Sequence, residues 1–308
     1  KIKDINFFLN KKKKKTRVWK LEYSGRLLIK IDFIFYTLNH YMTKVAIIIP
    51  THINYEGQTN LLDKCIQSLL NQTILPDSIY ISLSFEDKYI NDIKNIWAKY
   101  KKISRIIFKR SKKQKYQMEH LYSIVSNINE GDYDMFMFCD DDDTYHSTRV
   151  EELSKAFNYG KKIYPKKFGG AKEIFKDADT SSSPEYWAYG IKPSVIKDFF
   201  KLFENQTHKL AHKFGDLYLK HYLRRTLHYE YWMIIKPSTA LYNYNKNNPN
   251  SICGKIERGI GCIDDNIFES TVKCRNNNDL NKVKKTYKKY KMKKYINDTY
   301  NFCQLLYK

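Results

Sequence analysis

Asp140, Asp141, Asp142 and Asp143 follow directly on the apolar run from Met135 to Cys139. Carboxylates this close repel one another at neutral pH, so the run is either well solvated or neutralised by a bound group. In an extended chain alternate side chains share a side, which turns Asp140 and Asp142 toward one point and Asp141 and Asp143 elsewhere. Hard cations such as Mg2+ and Mn2+ take one or two protein carboxylates and complete their shells with phosphate oxygens and water. A cation held there would stabilise the charge that builds on a departing diphosphate. Two other readings fit part of the pattern. Asp140, Asp142 and Glu151 stand at the first, third and twelfth positions of a calcium loop, but Tyr145 occupies the place that needs glycine. A solvated turn with one acid capping the next helix is the plainer alternative.

Periodicity supplies the elements that must position these acids. Val45 to Ile49 is a β-branched run ended by Pro50, suited to a strand buried on both faces. Leu61, Leu62, Cys65, Ile66, Leu69 and Leu70 form one stripe of a helix. Strands are expected over Ser78 to Ser84, Arg105 to Phe108 and Tyr133 to Cys139. Helices are expected over Lys88 to Lys101, with Ile93, Ile96, Trp97 and Tyr100 inward, and over Gln117 to Ile128. A further helix starts near Thr148, which is spaced from Glu151 as a capping box. Strands alternating with helices predict an α/β fold with a central, mostly parallel sheet and helices on both faces. The aspartates then lie at the carboxyl end of a central strand, where open α/β sheets bind ligands.

Beyond residue 160 the pattern loosens. Gly169-Gly170 and Ala178 to Glu185 read as loops, Glu185 to Ile191 as a short strand, and Ser194 to Glu204 and His208 to Arg225 as helices. Leu280, Val283, Tyr287 and Tyr290 fall at helical spacing in a basic segment, which predicts a peripheral C-terminal helix. The expected organisation is a basic N-terminal extension (1–42), a main domain (43–275) divided at residue 153, and the basic C-terminal segment (276–308).

The net charge of +22 invites a polyanion-binding reading, yet only 9 of the 55 basic residues are arginine. Abundant Lys, Asn, Ile and Tyr are what AT-rich codons produce, as in some viral and protist genomes. The lysines gather in Lys11 to Lys15 and Lys282 to Lys294, as solvated tails do, so nucleic acid is not the expected partner. The six cysteines have neither CxxC pairing nor zinc spacing, and Cys65 and Cys139 read as core residues, which suits a reducing, cytoplasmic setting. Three N-x-Thr triplets, at Asn71, Asn205 and Asn297, are common by chance in an Asn-rich chain. No signal-peptide pattern is read at the N-terminus. Lys30 and Asp32 interrupt the longest apolar run, so no membrane span is expected, and contact with a membrane would be peripheral, through the basic C-terminus.

VAIIIPTHIN, LLDKCIQSLLNQTILPDSIYIS and YDMFMFCDDDDTYHSTRVEEL resemble, in order and spacing, the catalytic domain of family 2-like glycosyltransferases. The likeness covers residues 43–251 and is most specific up to Leu153. It implies a GT-A, Rossmann-like, nucleotide-diphospho-sugar transferase fold, with residues 43–153 holding the donor and 154–275 the acceptor. The implied reaction is hexosyl transfer from a nucleotide sugar, a UDP-sugar first among donors, to a hydroxyl of a glycan, lipid or protein. In the family the first strand ends in Pro-Thr at the nucleotide pocket, matched here by Pro50 and Thr51. A D-x-D motif closes the fourth strand and binds Mn2+ or Mg2+ and diphosphate, matched by Asp140 with Asp142, or in the shifted frame by Asp141 with Asp143. The first frame is favoured, with Asp143 as a further metal candidate and Asp141 toward the donor.

The resemblance also implies a general base at a helix start, best matched by Asp216, which would take the acceptor's proton in an inverting displacement. Arg224 and Arg225 follow as diphosphate candidates. Ser82 and Ser84 stand where many members carry acids for the nucleobase and ribose, and Gln117 and His120 are expected in the same pocket. LYNYNKNNPNSI resembles a segment that often reads Y-x-Y-x-x-H, with Asn247 in the histidine's place and His228 as a substitute. Gly169 and Gly170 would let backbone approach an acceptor sugar, and Glu185, Tyr186, Trp187 and Tyr189 would stack on and bind it, with Tyr189 equally readable as core. The competing functions are a sugar nucleotidyltransferase, whose glycine-rich loop is missing since PTHINYEGQTN holds only Gly57, and a non-catalytic basic polyanion-binding protein.

Overall fold

The computed structural model describes residues 18–21, 29–32, 43–174, 185–205, 207–211, 215–226, 231–245, 248, 271, 274, 276–286 and 293–306. Two short strands, β1 (Val18–Leu21) and β2 (Ile29–Asp32), precede the strand read from VAIII, which runs as β3 (Val45–Ile53). The extension through Pro50 has a simple cause. Pairing with β6 (Met135–Phe138) ends at Ile48, so Pro50 has a strand neighbour only on the side of β4 (Ser78–Phe85), and its missing N–H breaks no ladder.

Helix α1 (Gln58–Leu70) starts at Gly57, whose φ of 81° is the left-handed conformation glycine adopts without strain. It buries Leu62, Cys65, Ile66 and Leu69. After β4 comes α2 (Ile90–Tyr100), which buries Ile93, Ile96 and Tyr100. Trp97, expected inward with them, instead faces solvent, because the three buried side chains already fill the inner arc of the helix. Then follow β5 (Ile106–Arg110), α3 (Gln117–Val125) and β6, with β7 (Thr144–Tyr145) directly after the aspartates. In α4 (Arg149–Ile163) the expected capping box does not form. Thr148 Oγ1 bonds His146 Nδ1 at 3.0 Å, and Glu151 accepts from Thr73 Oγ1 at 2.8 Å.

The second half supplies β8 (Phe168–Glu173), β9 (Tyr189–Ile191), α5 (Pro193–Lys201), α6 (Gly215–Thr226), β10 (Tyr231–Ile235), β11 (Tyr242–Asn243), α7 (Asn277–Thr286) and α8 (Lys293–Leu306). Gly169 and Gly170, read as a loop, lie inside β8. A Cβ on Gly170 would stand 2.2 Å from the Gly190 carbonyl oxygen, so this glycine serves the close approach of β9. The expected strand from Glu185 is a 3₁₀ turn over Tyr186–Ala188 before β9 begins, and the expected helix from His208 is a 3₁₀ turn (Thr207–Leu210) followed by α6.

One nine-stranded sheet runs in the order β2-β1-β10-β8-β9-β6-β3-β4-β5, and β7 pairs with β11 separately. The pairs β5/β4, β4/β3, β3/β6 and β8/β10 are parallel, while β9 is antiparallel to both β6 and β8. Side chains of β3 alternate between two cores, as the strand pleat requires. Val45, Ile47 and Ile49 join α1, α2 and α4 on one face. Ala46 and Ile48 join the face covered by α3, α5, α6 and α8. The acids thus emerge at the carboxyl ends of the central strands, between two fully packed layers. Among the described residues no helix is long and apolar enough to cross a membrane.

The helix read as peripheral contributes buried Leu280 to this core, with Val283 packed against it, and α8, which follows, contributes more. Phe302 stacks 4.8 Å from Tyr218 and 5.6 Å from Phe203, and Ile296 and Cys303 are buried beside it. Tyr287 and Tyr290 lie outside the described residues. Phe302→Ala should cost about 3–5 kcal/mol, because the cavity opens among aromatics of α5, the turn after it and α6 that cannot collapse into it. Urea unfolding monitored by circular dichroism measures the loss.

Candidate active site

The four aspartates form a turn. The Asp143 N–H donates to the Asp140 carbonyl at 3.2 Å, and the chain reverses so that β7 can pair with β11. The alternation expected of an extended strand therefore does not apply, and each carboxylate takes its own direction. Asp140 Oδ1 accepts from Gln117 Nε2 at 2.8 Å and from the Tyr186 hydroxyl. Asp141 Oδ2 accepts from the Thr51 hydroxyl and from Gln58 Nε2 at 3.0 Å. Asp142 Oδ2 accepts from Asn248 Nδ2 at 2.6 Å. Asp143, fully buried, has both oxygens engaged, by the Tyr242 hydroxyl at 2.6 Å and the Asn245 N–H at 2.7 Å.

The holding groups are neutral. Among the described residues no Lys or Arg pairs with any of the four carboxylates, and the protonation equilibria show the consequence. Burial pushes Asp140 far above the usual carboxylate range, with Asp143 adding repulsion. Asp141 is pushed up to about 7 by burial and then by Asp142. Asp142 and Asp143 are raised as well, burial outweighing their hydrogen bonds. Asp140, Asp141 and Asp142 each keep one carboxylate oxygen without a side-chain partner among the described residues. An all-oxygen donor set carrying uncompensated negative charge fits a hard divalent cation. Among the described residues no three His, Cys, Asp or Glu side chains form a complete cage, so water and phosphate oxygens would have to fill the shell. Asp143, a candidate ligand from the sequence, has no free oxygen to offer; it holds the start of the segment after β11 in place.

On the donor side expected from the sequence, the ends of β3 and β4 carry a chain of hydrogen bonds. His120 bridges Ser82 (Nδ1, 2.8 Å) and Ser84 (Nε2, 3.0 Å), and Ser84 bonds His52 Nδ1 at 2.8 Å. Burial drives the His120 pKa down to about 3, so its ring is neutral and fixed by two hydroxyls. Pro50 is buried in β3, and the Thr51 hydroxyl is spent on Asp141. Gln117, expected beside His120 in the base pocket, turns toward the acids, because its Nε2 bonds Asp140 and also the Tyr186 oxygen at 2.7 Å.

Opposite lie the residues read as acceptor contacts. Tyr186 is buried between Gln117 and Asp140. Glu185 pairs with Lys220 at 2.6 Å. Trp187 stacks on Tyr242 with ring centroids 4.2 Å apart and an interplanar angle of 15°. Tyr189 is core, packed edge-on against Trp232. Gly170 is not brought here, for the reason given by its packing on Gly190. Asp216 lies in the first turn of α6, its Oδ1 buried without a hydrogen-bond partner among the described residues. Burial and repulsion from Glu185 push it up to about 7, against the Leu217 N–H and Lys220. The Tyr186 hydroxyl feels both Asp140 and Asp216, so the two acids flank one side chain. Asn247 and His228, and the side chains of Arg224 and Arg225, lie outside the described residues.

Sequence reasoning missed Gln58, Asn248, Tyr242 and the pair Arg149–Glu173. Tyr242 donates to Asp143, accepts from the Asp140 N–H at 3.1 Å and carries Trp187 on its ring. Arg149 is fully buried, paired with Glu173, and donates to the Trp187 carbonyl at 2.8 Å. Its guanidinium stands 4.7 Å over the Tyr145 ring and 5.1 Å over that of Tyr242. Glu173 in turn accepts from the Leu241 N–H at 2.6 Å. The only local signal was the pairing of Tyr242 with Tyr244 in LYNYN.

No family model matches the chain, and no curated protein matches it. Solved structures do. A mannosyltransferase, PcManGT from Pyrobaculum calidifontis in complex with GDP-Man and Mn2+, aligns with a TM-score of 0.50 at 11% identity, over 85% of this chain and 70% of that one. TarS from S. aureus aligns with a TM-score of 0.41 at 12% identity, over 65% of this chain and 36% of TarS. TarS 1-349 in complex with UDP-GlcNAc gives 0.40 at 14% identity, over 65% of this chain and 58% of the fragment. The chain therefore spans about a third of TarS and under two thirds of its fragment. At this identity the likeness to the mannosyltransferase is one of fold: a mixed α/β structure of GT-A type.

Arg149→Met strands the buried Glu173 carboxylate and should destabilise the protein by about 3–5 kcal/mol. Adding Glu173→Gln should recover most of that loss, since the remaining amide is neutral. Denaturant midpoints of the single and double variants provide the check.

Proposed function

We propose that this chain transfers a sugar from a nucleotide-diphosphate sugar to a hydroxyl acceptor, with Mn2+ or Mg2+ held by Asp140 and Asp142. The observation that carries the reading is the acidic turn itself. Four desolvated carboxylates stand at the carboxyl ends of the central strands of a GT-A fold, held by neutral donors and lacking a Lys or Arg partner among the described residues. Buried carboxylates without a cationic partner are neutralised by protons or by a bound cation, and the free oxygens of Asp140 and Asp142 suit the second. The mannosyltransferase of like fold was solved with GDP-Man and Mn2+, which supports the same ligand class here.

Each residue then has a separate task. The bound cation would neutralise charge on the diphosphate as the bond to the sugar breaks. Gln117 and Tyr186 fix the direction of Asp140, and Asn248 fixes Asp142, so the free oxygen of each is set before donor arrives. Asp141 ties the end of β3 to the start of α1 through Thr51 and Gln58. Ser84 and His52, backed by neutral His120, offer hydroxyl and imidazole groups to the nucleoside of a UDP- or GDP-sugar. Asp216 takes the acceptor proton at its unpartnered Oδ1 as the acceptor oxygen attacks the anomeric carbon, and attack opposite the diphosphate inverts that centre. Glu185, Tyr186 and Trp187 form the acceptor wall. Residues 43–153 supply the donor half and 154–275 the acceptor half, and the reading places the enzyme in the cytoplasm as a family 2-like hexosyltransferase.

A screen of nucleotide sugars with Mn2+, followed by donor hydrolysis and transfer, tests this. Asp142→Asn should lower both rates by about a hundredfold or more, and full activity in that variant would remove the metal assignment. Asp216→Asn should lower transfer by about 10²–10⁴-fold with nucleotide binding unchanged. A base works only when deprotonated, so kcat should rise with pH through a midpoint of about 7 and this limb should vanish in Asp216→Asn.

A further inference from the structure

We propose that one solvent-exposed flank of α2 docks the protein on an anionic lipid surface. Residues Ile90, Lys94, Trp97 and Lys101 follow one another at helical spacing and form a single stripe along the helix. Ile90 is 36% exposed and Trp97 48% exposed, the latter the most exposed large apolar side chain among the described residues. Two apolar groups thus alternate with two lysines. The only acid of the helix, Asp92, falls on the opposite flank with Lys99, which is committed to Asp63 at 2.7 Å. Lys94 and Lys101 make no ion pair among the described residues. The stripe therefore carries net positive charge with no acid among its own members.

The chemistry selects the occupant. An indole ring prefers the boundary between water and hydrocarbon, and lysines beside it reach lipid phosphates by extending their stems. The Lys101 ammonium stands 4.6 Å over the Trp97 ring and covers the face that a sugar or a base would stack on. Ile90 offers neither of those ligands anything, whereas it adds apolar area to a bilayer contact. The topology extends the patch. Leu75, 42% exposed, lies in the connection entering β4, and Arg105, just before β5, donates to the neighbouring Pro76 carbonyl. Because β4 and β5 are parallel, Leu75 and Lys101 share one end of the sheet. The surface is separate from the C-terminal lysines and from the acidic turn, and it stands whether or not the proposed transfer activity holds.

Cosedimentation of the full chain with phosphatidylcholine vesicles, with and without phosphatidylserine, tests the assignment. Binding should require phosphatidylserine and weaken as salt is raised. Trp97→Ser, and separately Lys94→Glu with Lys101→Glu, should each weaken it about tenfold. These positions are solvent-facing, so circular dichroism should remain that of the parent. Tryptophan emission should be quenched by dibrominated phosphatidylcholine in the parent and less so in Trp97→Phe. Vesicle binding that is absent, or unchanged in both variants, overturns the proposal. So does Trp97-dependent binding to heparin or an oligonucleotide without vesicle binding.

Discussion

Four consecutive carboxylates leave bulk water at the end of β6, with no Lys or Arg paired to them among the described residues, and much of the surrounding structure exists to make that tolerable. Burial raises all four, and repulsion from neighbouring carboxylates adds to it at Asp140, Asp141 and Asp143. Neutral donors reach them from β3, α1, α3, the turn before β9 and the segment after β11. Each donor lowers the cost of the charge without cancelling it, which leaves a site that, on the proposed reading, a cation would complete.

Tyr242 is the hinge of this arrangement. Its hydroxyl joins the first and last aspartates of the turn, and its ring is stacked on Trp187 and lies against the buried Arg149. The Arg149–Glu173 pair holds the Trp187 carbonyl and the Leu241 N–H, and so binds the 3₁₀ turn before β9 to the strand carrying Tyr242. The acidic turn and the 3₁₀ turn before β9, proposed as the donor and acceptor sides, are therefore coupled through one aromatic stack and one buried ion pair. A cavity or an unpaired charge at either place should be felt at the acids.

The first half of the fold was legible because its strands and helices carry strong period-2 and period-3.6 patterns that local physics respects. The aspartates drew attention by composition, and their place followed from the strand before them. Long-range demands hid the rest. Gly170 reads as a loop residue until β9 is seen pressing on it, and Trp97 completes an apolar stripe until Ile93, Ile96 and Tyr100 are found to fill the inner face. Tyr231–Ile235 is too short an apolar run to be told apart by periodicity, yet it forms β10 inside the sheet. Asn248 reaches Asp142 across a separation of 106 residues, and no local pattern announces such a bond. The shape of the turn was also out of reach, since pairing between β7 and β11 decides it.

The central claim is that Asp140 and Asp142 form the half of a metal site that a nucleoside diphosphate completes. Calorimetric titration of UDP and GDP into the protein, with and without Mn2+, measures that dependence directly. The account predicts binding of at least one nucleotide with Mn2+ and little without it, loss of that binding in Asp140→Asn and Asp142→Asn, and its retention in Asp216→Asn. Nucleotide binding of equal strength without the cation, or undiminished in Asp142→Asn, would contradict it.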